Sequence, residues 1–218
     1  MKRVADDVFQ IGWFTSFFSA FLVGDVLVDS GTRPAGGIVL RAVRGRPVRA
    51  HALTHVHPDH SGSSSRVCAT LDVPLWCGER DADAMEEGIT NYPDRPVHNL
   101  FGTLRGPARR VDRRLREGDE LAAGFVVLET PGHSPGHLSF WRAEDRTLLA
   151  GEVAWNYGLE GRPLLRQPLG IFRGDAARNA ESARRLAALE PELVLFSHGR
   201  PLRDGPRFAE YAAALPRA

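Results

Sequence analysis

The chain has 218 residues, 43% hydrophobic and 25% charged, with a formal net charge of +1. That composition is ordinary for a soluble globular protein, and the near-neutral balance gives no electrostatic case for a nucleic-acid or membrane partner. Roughly 70% of the unfolded surface can be buried at this length, so a disulfide staple is not required.

Cys68 and Cys77 form no CxxC pair and read as free, buried thiols. Lys2 is the only lysine, so almost all positive charge is arginine. A compositional bias accounts for this more simply than a dedicated set of anion-binding forks. The first residues, MKRVADDVFQIGW, lack the long apolar run and cleavage site of a signal peptide. No stretch approaches the ~20 apolar residues of a membrane span. The expectation is one cytoplasmic domain covering residues 1–218.

The predicted elements begin with β-rich runs at 8–13, 20–23 and 26–29, the last two joined by a Gly24-Asp25 hairpin turn. A short helix is expected at 37–43 and a strand at 48–54. Residues 62–71 read as a helix, 74–77 as a strand and 79–87 as a helix ended by Gly88. Residues 89–111 carry Pro93, Pro96, Gly102, Gly106 and Pro107 and read as a long irregular loop, the kind that is usually functional or mobile. Strands follow at 125–129, 138–141 and 147–150, then a second long loop at 153–174. Residues 175–189 form a clear helix: Asp175 caps it, Ala176, Ala180, Ala183, Leu186 and Ala187 make its apolar stripe, and Pro191 follows. A buried-type strand at 193–196 closes the series. Strands then helices, twice over, suits two sheets packed face to face with helices outside.

Three of the eight histidines, His55, His57 and His60, fall within six residues, with Asp59 among them. Imidazole and carboxylate are the usual ligands of zinc and other first-row metals. Pro58 pushes His57 toward an extended backbone, where residues i and i+2 point the same way. His55 and His57 can then grip one cation, while Asp59 and His60, after the turn, address a second position. A polar turn of solvated histidines is the plain alternative. Three distant segments speak against it, because each also ends a strand with a candidate ligand: His133 in Pro-Gly-His-Ser-Pro-Gly, Glu152 after Leu-Leu-Ala-Gly, and His198 after Leu-Val-Leu-Phe-Ser.

The ordered set His55-x-His57-x-Asp59-His60, Thr130-Pro-Gly-His133, Gly151-Glu152 and Ser197-His198-Gly199 resembles the metallo-β-lactamase superfamily, from about Phe9 to Pro201. The resemblance implies an α+β fold, a four-layer αββα sandwich with metals at one edge of the sheets. It implies a dinuclear centre of two divalent ions, zinc by preference with iron or manganese open. His55, His57 and His133 would hold one ion, and Asp59, His60 and His198 the other. Asp59 would also be catalytic, orienting the nucleophilic water. Asp29, in Leu-Val-Asp-Ser-Gly, matches a common aspartate behind the ligands and can fix a ligand histidine's tautomer; a turn aspartate is the alternative. The family usually has aspartate where Glu152 stands. A bridging glutamate, a glutamate on one ion, or a tight and a weak metal are the open outcomes, and the bridge is favoured.

His137 reads either as a supporting group near the ligands or as a core histidine, and His51 as core or surface. Loop residues Tyr92, Trp155, Tyr157, Arg162, Arg166 and Arg173 are candidates for lining a substrate pocket, with His98 weaker. The activity implied is hydrolysis of a small ester, thioester or lactone, in the manner of glyoxalase II-like thioesterases and lactonases. Glyoxalase II carries an additional helical C-terminal region, whereas 20 residues follow His198 here, which counts against its glutathione thioester. An iron-dependent persulfide dioxygenase, a nuclease-type phosphodiesterase and a non-catalytic metal-binding module are the alternatives. The flavin-linked diiron branch is set aside because it has glutamate where His57 stands. The expected partner is a small-molecule substrate, with a homodimer left open.

Overall fold

The structure is a computed structural model, and it describes residues 1–13, 18–89, 104–158, 163–169 and 174–217. The first sheet has seven strands in sequence order: β1 (Lys2–Ala5), β2 (Val8–Trp13), β3 (Phe18–Val23), β4 (Val26–Val28), β5 (Ala50–Ala52), β6 (Leu75–Gly78) and β7 (Arg113–Leu115). β1 to β4 are antiparallel, and β4 to β7 run parallel. The second sheet contains β8 (Val126–Glu129), β9 (Leu138–Arg142), β10 (Thr147–Gly151) and β13 (Leu193–Phe196), in the order β13-β10-β9-β8. It too is mixed, since β10 and β13 are parallel and the other pairs antiparallel.

β3 to β6 of the first sheet and β9, β10 and β13 of the second are buried on both faces, and the period of two along each strand sorts the side chains. In β3 and β4, Phe21, Val23, Val26 and Val28 point between the sheets, where they meet Phe125, Val127, Phe140, Leu149, Leu193 and Leu195. Leu27 points the other way, onto α1 (Gly36–Ala42) and α3 (Ser64–Leu71), with Val39, Val43 and Val67. In the second sheet, Leu148, Ala150, Val194 and Phe196 pack outward against Ala183 and Leu186 of α5 (Ala176–Ala187) and Phe208 and Ala212 of α6 (Gly205–Ala214). A third cluster joins Leu53, Leu75 and Cys77 to Ala82, Ala84 and Met85 of α4 (Glu79–Glu87). The result is helix, sheet, sheet, helix, held by apolar burial on all three internal faces. No described helix is long and apolar enough to cross a membrane. Cys68 and Cys77 are free and buried.

Several elements differ from the sequence reading. The strand expected at 48–54 is a ladder strand only over Ala50–Ala52, and His55 and His57 lie in the segment that follows it. The helix expected at 62–71 is preceded by a separate turn, α2 (Pro58–Ser61). The joint falls at Gly62, where a Cβ would lie 2.3 Å from the Pro58 carbonyl oxygen and 2.6 Å from the Arg33 nitrogen. The second long loop holds a small ladder, β11 (Trp155–Asn156) with β12 (Leu165–Arg166). Asp175 does cap α5, accepting from the Arg178 amide at 3.0 Å.

Candidate metal centre

Asp29, His55, His133, Glu152 and His198 all follow the ends of β4, β5, β8, β10 and β13 at one edge of the two sheets. Backbone hydrogen bonds tie the sheets together there: Leu138 N donates to Thr54 O at 2.8 Å, and Ser19 N to Ser197 O at 2.9 Å. The edge is therefore a rigid platform rather than a set of free loops.

Two groups of ligand atoms gather on it. His55, His57 and His133 form one, and Asp59, His60, Glu152 and His198 the other, with the atoms of each within 4.8 Å of one another. His57 is extended (φ −68°, ψ 153°), as Pro58 requires. His57 Nδ1 and His133 Nε2 lie 2.9 Å apart. Glu152 reaches both groups. Its Oε1 is 2.7 Å from His60 Nε2, 2.9 Å from His198 Nε2 and 3.7 Å from His55 Nε2. Its Oε2 is 3.2 Å from His133 Nε2. Asp59 Oδ2 lies 3.2 Å from His198 Nε2 and 3.5 Å from His60 Nε2.

Behind these atoms, hydrogen bonds fix which nitrogens face inward. Asp29 sits in the left-handed region at φ 59°. It accepts from the Thr54 amide, the Thr54 hydroxyl and His60 Nδ1, each at 2.8 Å. With its hydroxyl proton committed to Asp29, Thr54 Oγ1 accepts from His55 Nδ1 at 3.0 Å. Both rings thus turn Nε2 toward the centre. His137 Nε2 accepts from the Glu152 amide at 2.9 Å while Nδ1 donates to the Thr130 carbonyl at 3.1 Å. His51 stands apart, fully buried between the Leu27 carbonyl and the Ser64 hydroxyl.

Burial holds His55, His57 and His133 below the ordinary histidine value, the first two far below, so all three are neutral donors at pH 7. His137 falls to about 3 and His51 to about 4, also through burial. The other group is opposite. Burial disfavours charge on His60 and His198, but Asp59 and Asp29 outweigh it for His60, and Glu152 and Asp59 for His198. His60 ends well above its ordinary value and His198 at about 9. Burial likewise disfavours the carboxylates, yet the facing histidines keep Asp59 and Glu152 ionised. The second group is thus two carboxylates facing two imidazolium rings.

A cation fits where those charges stand. Among the described residues, His55 Nε2 is completely buried with no hydrogen-bond partner, a costly state that a metal ion would relieve. Neutral imidazoles with carboxylates match zinc, iron or manganese. Cation uptake at pH 7.5 is therefore expected to release protons from His60 and His198, since both are protonated there beforehand. Calorimetry in buffers of different ionisation enthalpy checks this, and release from His198 should fade above pH 9. By the same sign, the raised His198 pKa stabilises the metal-free fold fully below about pH 6.5. That contribution is lost as pH rises through about 9.

Of the loop candidates, Trp155 is buried, and its Nε1 donates to Glu152 Oε2 at 2.7 Å. Its ring lies 4.8 Å from that of His198, with the Arg166 guanidinium 5.4 Å above it. Tyr157 and Arg166 are half-buried. Tyr92, His98, Arg162 and Arg173 lie outside the described residues. Sequence reasoning missed Thr54; its place directly before His55, at the end of an apolar strand, was the available signal.

The sequence pattern of the metallo-beta-lactamase superfamily matches residues 19–198. The probable metallo-hydrolase YflN of Bacillus subtilis (strain 168) is 28% identical over 201 residues, covering 81% of this chain and 76% of that protein. A hydroxyacylglutathione hydrolase of Bdellovibrio bacteriovorus is 29% identical over 176 residues, covering 78% of this chain and 56% of its own length. Among solved structures, the class B3 di-zinc metallo-beta-lactamase LRA-12 from an Alaskan soil metagenome superposes with a TM-score of 0.72 at 20% identity, over 98% of this chain and 90% of that one. At that identity the likeness concerns the fold.

Proposed function

The chain belongs to the metallo-β-lactamase superfamily, and from that premise we propose that it is a dinuclear metallohydrolase cleaving a small ester, thioester or lactone. The observation that carries this reading is the pair of ligand groups, seven side chains from four separate segments, converging at one sheet edge. His55, His57 and His133 would hold one cation, and Asp59, His60 and His198 a second, with Glu152 reaching both. The bound ions would supply Lewis-acid chemistry, lowering the pKa of water toward neutrality and stabilising negative charge on a carbonyl oxygen.

The protein's own contribution is orientation and proton handling. Asp59 is the exposed member of the cluster: its side chain is 24% accessible, while His60, His198 and Glu152 are at 3% or less. Water and substrate therefore arrive on the Asp59 side. A carboxylate held by His198 on one side and open on the other is placed to orient water and pass its proton to the leaving group. The preference for an acyl bond rests on the hydroxyacylglutathione hydrolase relatives, which hydrolyse a thioester by name; this chain spans about half the length of those relatives.

The decisive experiment is a panel of esters, thioesters, lactones and phosphodiesters assayed with metal-loaded and metal-stripped protein. Turnover of an acyl substrate that disappears on chelation and returns with zinc, manganese or iron is the expected result. Full activity in stripped protein overturns the proposal, and oxygen consumption with a persulfide redirects it to a dioxygenase.

A further inference from the structure

Asp81 is a fully buried carboxylate that the metal groups leave unused. It lies in the first turn of α4, where the helix dipole favours a negative charge. A buried carboxyl group is stabilised by donors aimed at its oxygens. Three of its donors come from the two loops that carry the histidines. Oδ1 accepts from the Gly136 amide at 2.8 Å, and Oδ2 from the Ser134 hydroxyl at 2.9 Å and the Val56 amide at 3.3 Å. Val56 stands between His55 and His57, Ser134 directly follows His133, and Gly136 directly precedes His137.

The fit is tight enough to leave little play. A Cβ at Gly136 would lie 2.5 Å from Asp81 N and 2.6 Å from its Oδ1, and one at Gly78 would lie 2.4 Å from the Gly136 carbonyl oxygen. The start of α4 is thus seated against the His133 loop backbone to backbone. His57 Nδ1 and His133 Nε2, 2.9 Å apart, sit on the two segments that Asp81 joins. That separation is a hydrogen bond with one shared proton, and the same two nitrogens would be available to a cation held by the three-histidine group.

We propose that Asp81 is a positioning residue that clamps the His55–His57 segment to the His133 loop and so sets the geometry of the three-histidine group. The proposal rests on the metal reading above. It predicts selectivity: His60 and His198 hang on Asp29 and Glu152 and lie outside the clamp. Asp81→Asn is a severe test, because all three of these partners are donors and an amide NH2 would oppose at least one of them.

The experiment compares wild type, Asp81→Ala, Asp81→Asn and Ser134→Ala. Affinity for Zn²⁺ is measured by competition with a chromophoric chelator, ligand-field spectra are recorded with Co²⁺, and imidazole nitrogen resonances are recorded on the metal-free proteins. Asp81→Ala and Asp81→Asn are expected to weaken the first cation by about 10–100-fold, the range found for groups that orient ligands. Ser134→Ala should fall between them and wild type. The Co²⁺ bands should change, and His57 and His133 resonances should shift while those of His60 and His198 hold. A folded Asp81 variant with wild-type Zn²⁺ affinity and Co²⁺ spectrum overturns the proposal. If both Asp81 variants unfold, Ser134→Ala decides, and unchanged affinity there overturns it. Should wild type bind no metal, the functional reading fails, and the metal-free resonances still judge the clamp alone.

Discussion

His57→Ala is expected to lose about three orders of magnitude or more in kcat/KM and to retain at most one cation per chain. The size follows from the chemistry at stake. Bound metal is worth several kcal/mol of charge stabilisation, and each ~1.4 kcal/mol is a factor of ten in rate. His57 belongs to the neutral histidine group, which would take a cation without first giving up a proton, so its loss would remove the group readiest to fill at neutral pH. Its neighbour His133 would lose the ring nitrogen that its Nε2 faces at 2.9 Å. Metal content by mass spectrometry and kinetics on one preparation check this together. His51→Gln is the matched control: an equally buried histidine, bonded to the Leu27 carbonyl and Ser64 and outside both ligand groups. It should lose stability, on the order of 1–3 kcal/mol for a disrupted buried hydrogen-bond pair, but keep its metal. Normal turnover in His57→Ala would refute the cluster as the seat of activity.

The contrast between His57 and His51 shows what the sequence makes legible. His57 announces itself through short-range order: an apolar strand, an alternating pair of histidines and a proline that fixes the backbone. The candidate ligands His133, Glu152 and His198 each follow the end of a strand rich in branched residues, so the delivery of chemistry to one edge could be read before any fold was known, whereas Asp59 and His60 lie in the turn α2. The sandwich was readable for the same reason, since residues 20–23, β4, residues 148–150 and β13 are continuous apolar runs and α5 has a cap and a stripe. Elements with weak local signals were not. β1 is largely exposed and β7 is Arg-Arg-Leu, so both exist because a neighbouring strand offers hydrogen bonds. α6 does carry a signal, with Asp204 accepting from the Arg207 amide and Phe208, Tyr211, Ala212 and Leu215 spaced for one face. Its Gly205-Pro206 start reads first as a breaker. Asp81 and Trp155 were illegible as supports because their meaning lies in partners 25 to 55 positions away, or in one oxygen rather than the other.

That last distinction drives the second large effect. Glu152→Asp restores the residue usual in the family and is nevertheless expected to cost about 10–100-fold in activity or metal affinity. Glu152 is seated for its own length. Gly151 sits at φ 60°, where a Cβ would strike His137 Nε2 at 2.5 Å; the β10–β13 register shifts between Leu149 and Gly151; and His137 holds the Glu152 amide. From that fixed backbone, Oε1 meets His60 and His198 while Oε2 is held by the Trp155 indole and faces His133. Shortening the side chain by one C–C bond, about 1.5 Å, withdraws both oxygens at once and leaves the buried indole N–H without its acceptor. Glu152→Gln keeps the length but removes the charge that balances His60 and His198, and should cost more, on the order of 10²–10³-fold. Trp155→Phe, which frees Oε2 without touching the carboxylate, should sit nearest to wild type, at about tenfold. The order Trp155→Phe, Glu152→Asp, Glu152→Gln in metal affinity and kcat is the signature of a carboxylate divided between the two ligand groups. A Glu152→Asp variant as active as wild type would show instead that the backbone yields, and that the longer side chain is not what this centre is built around.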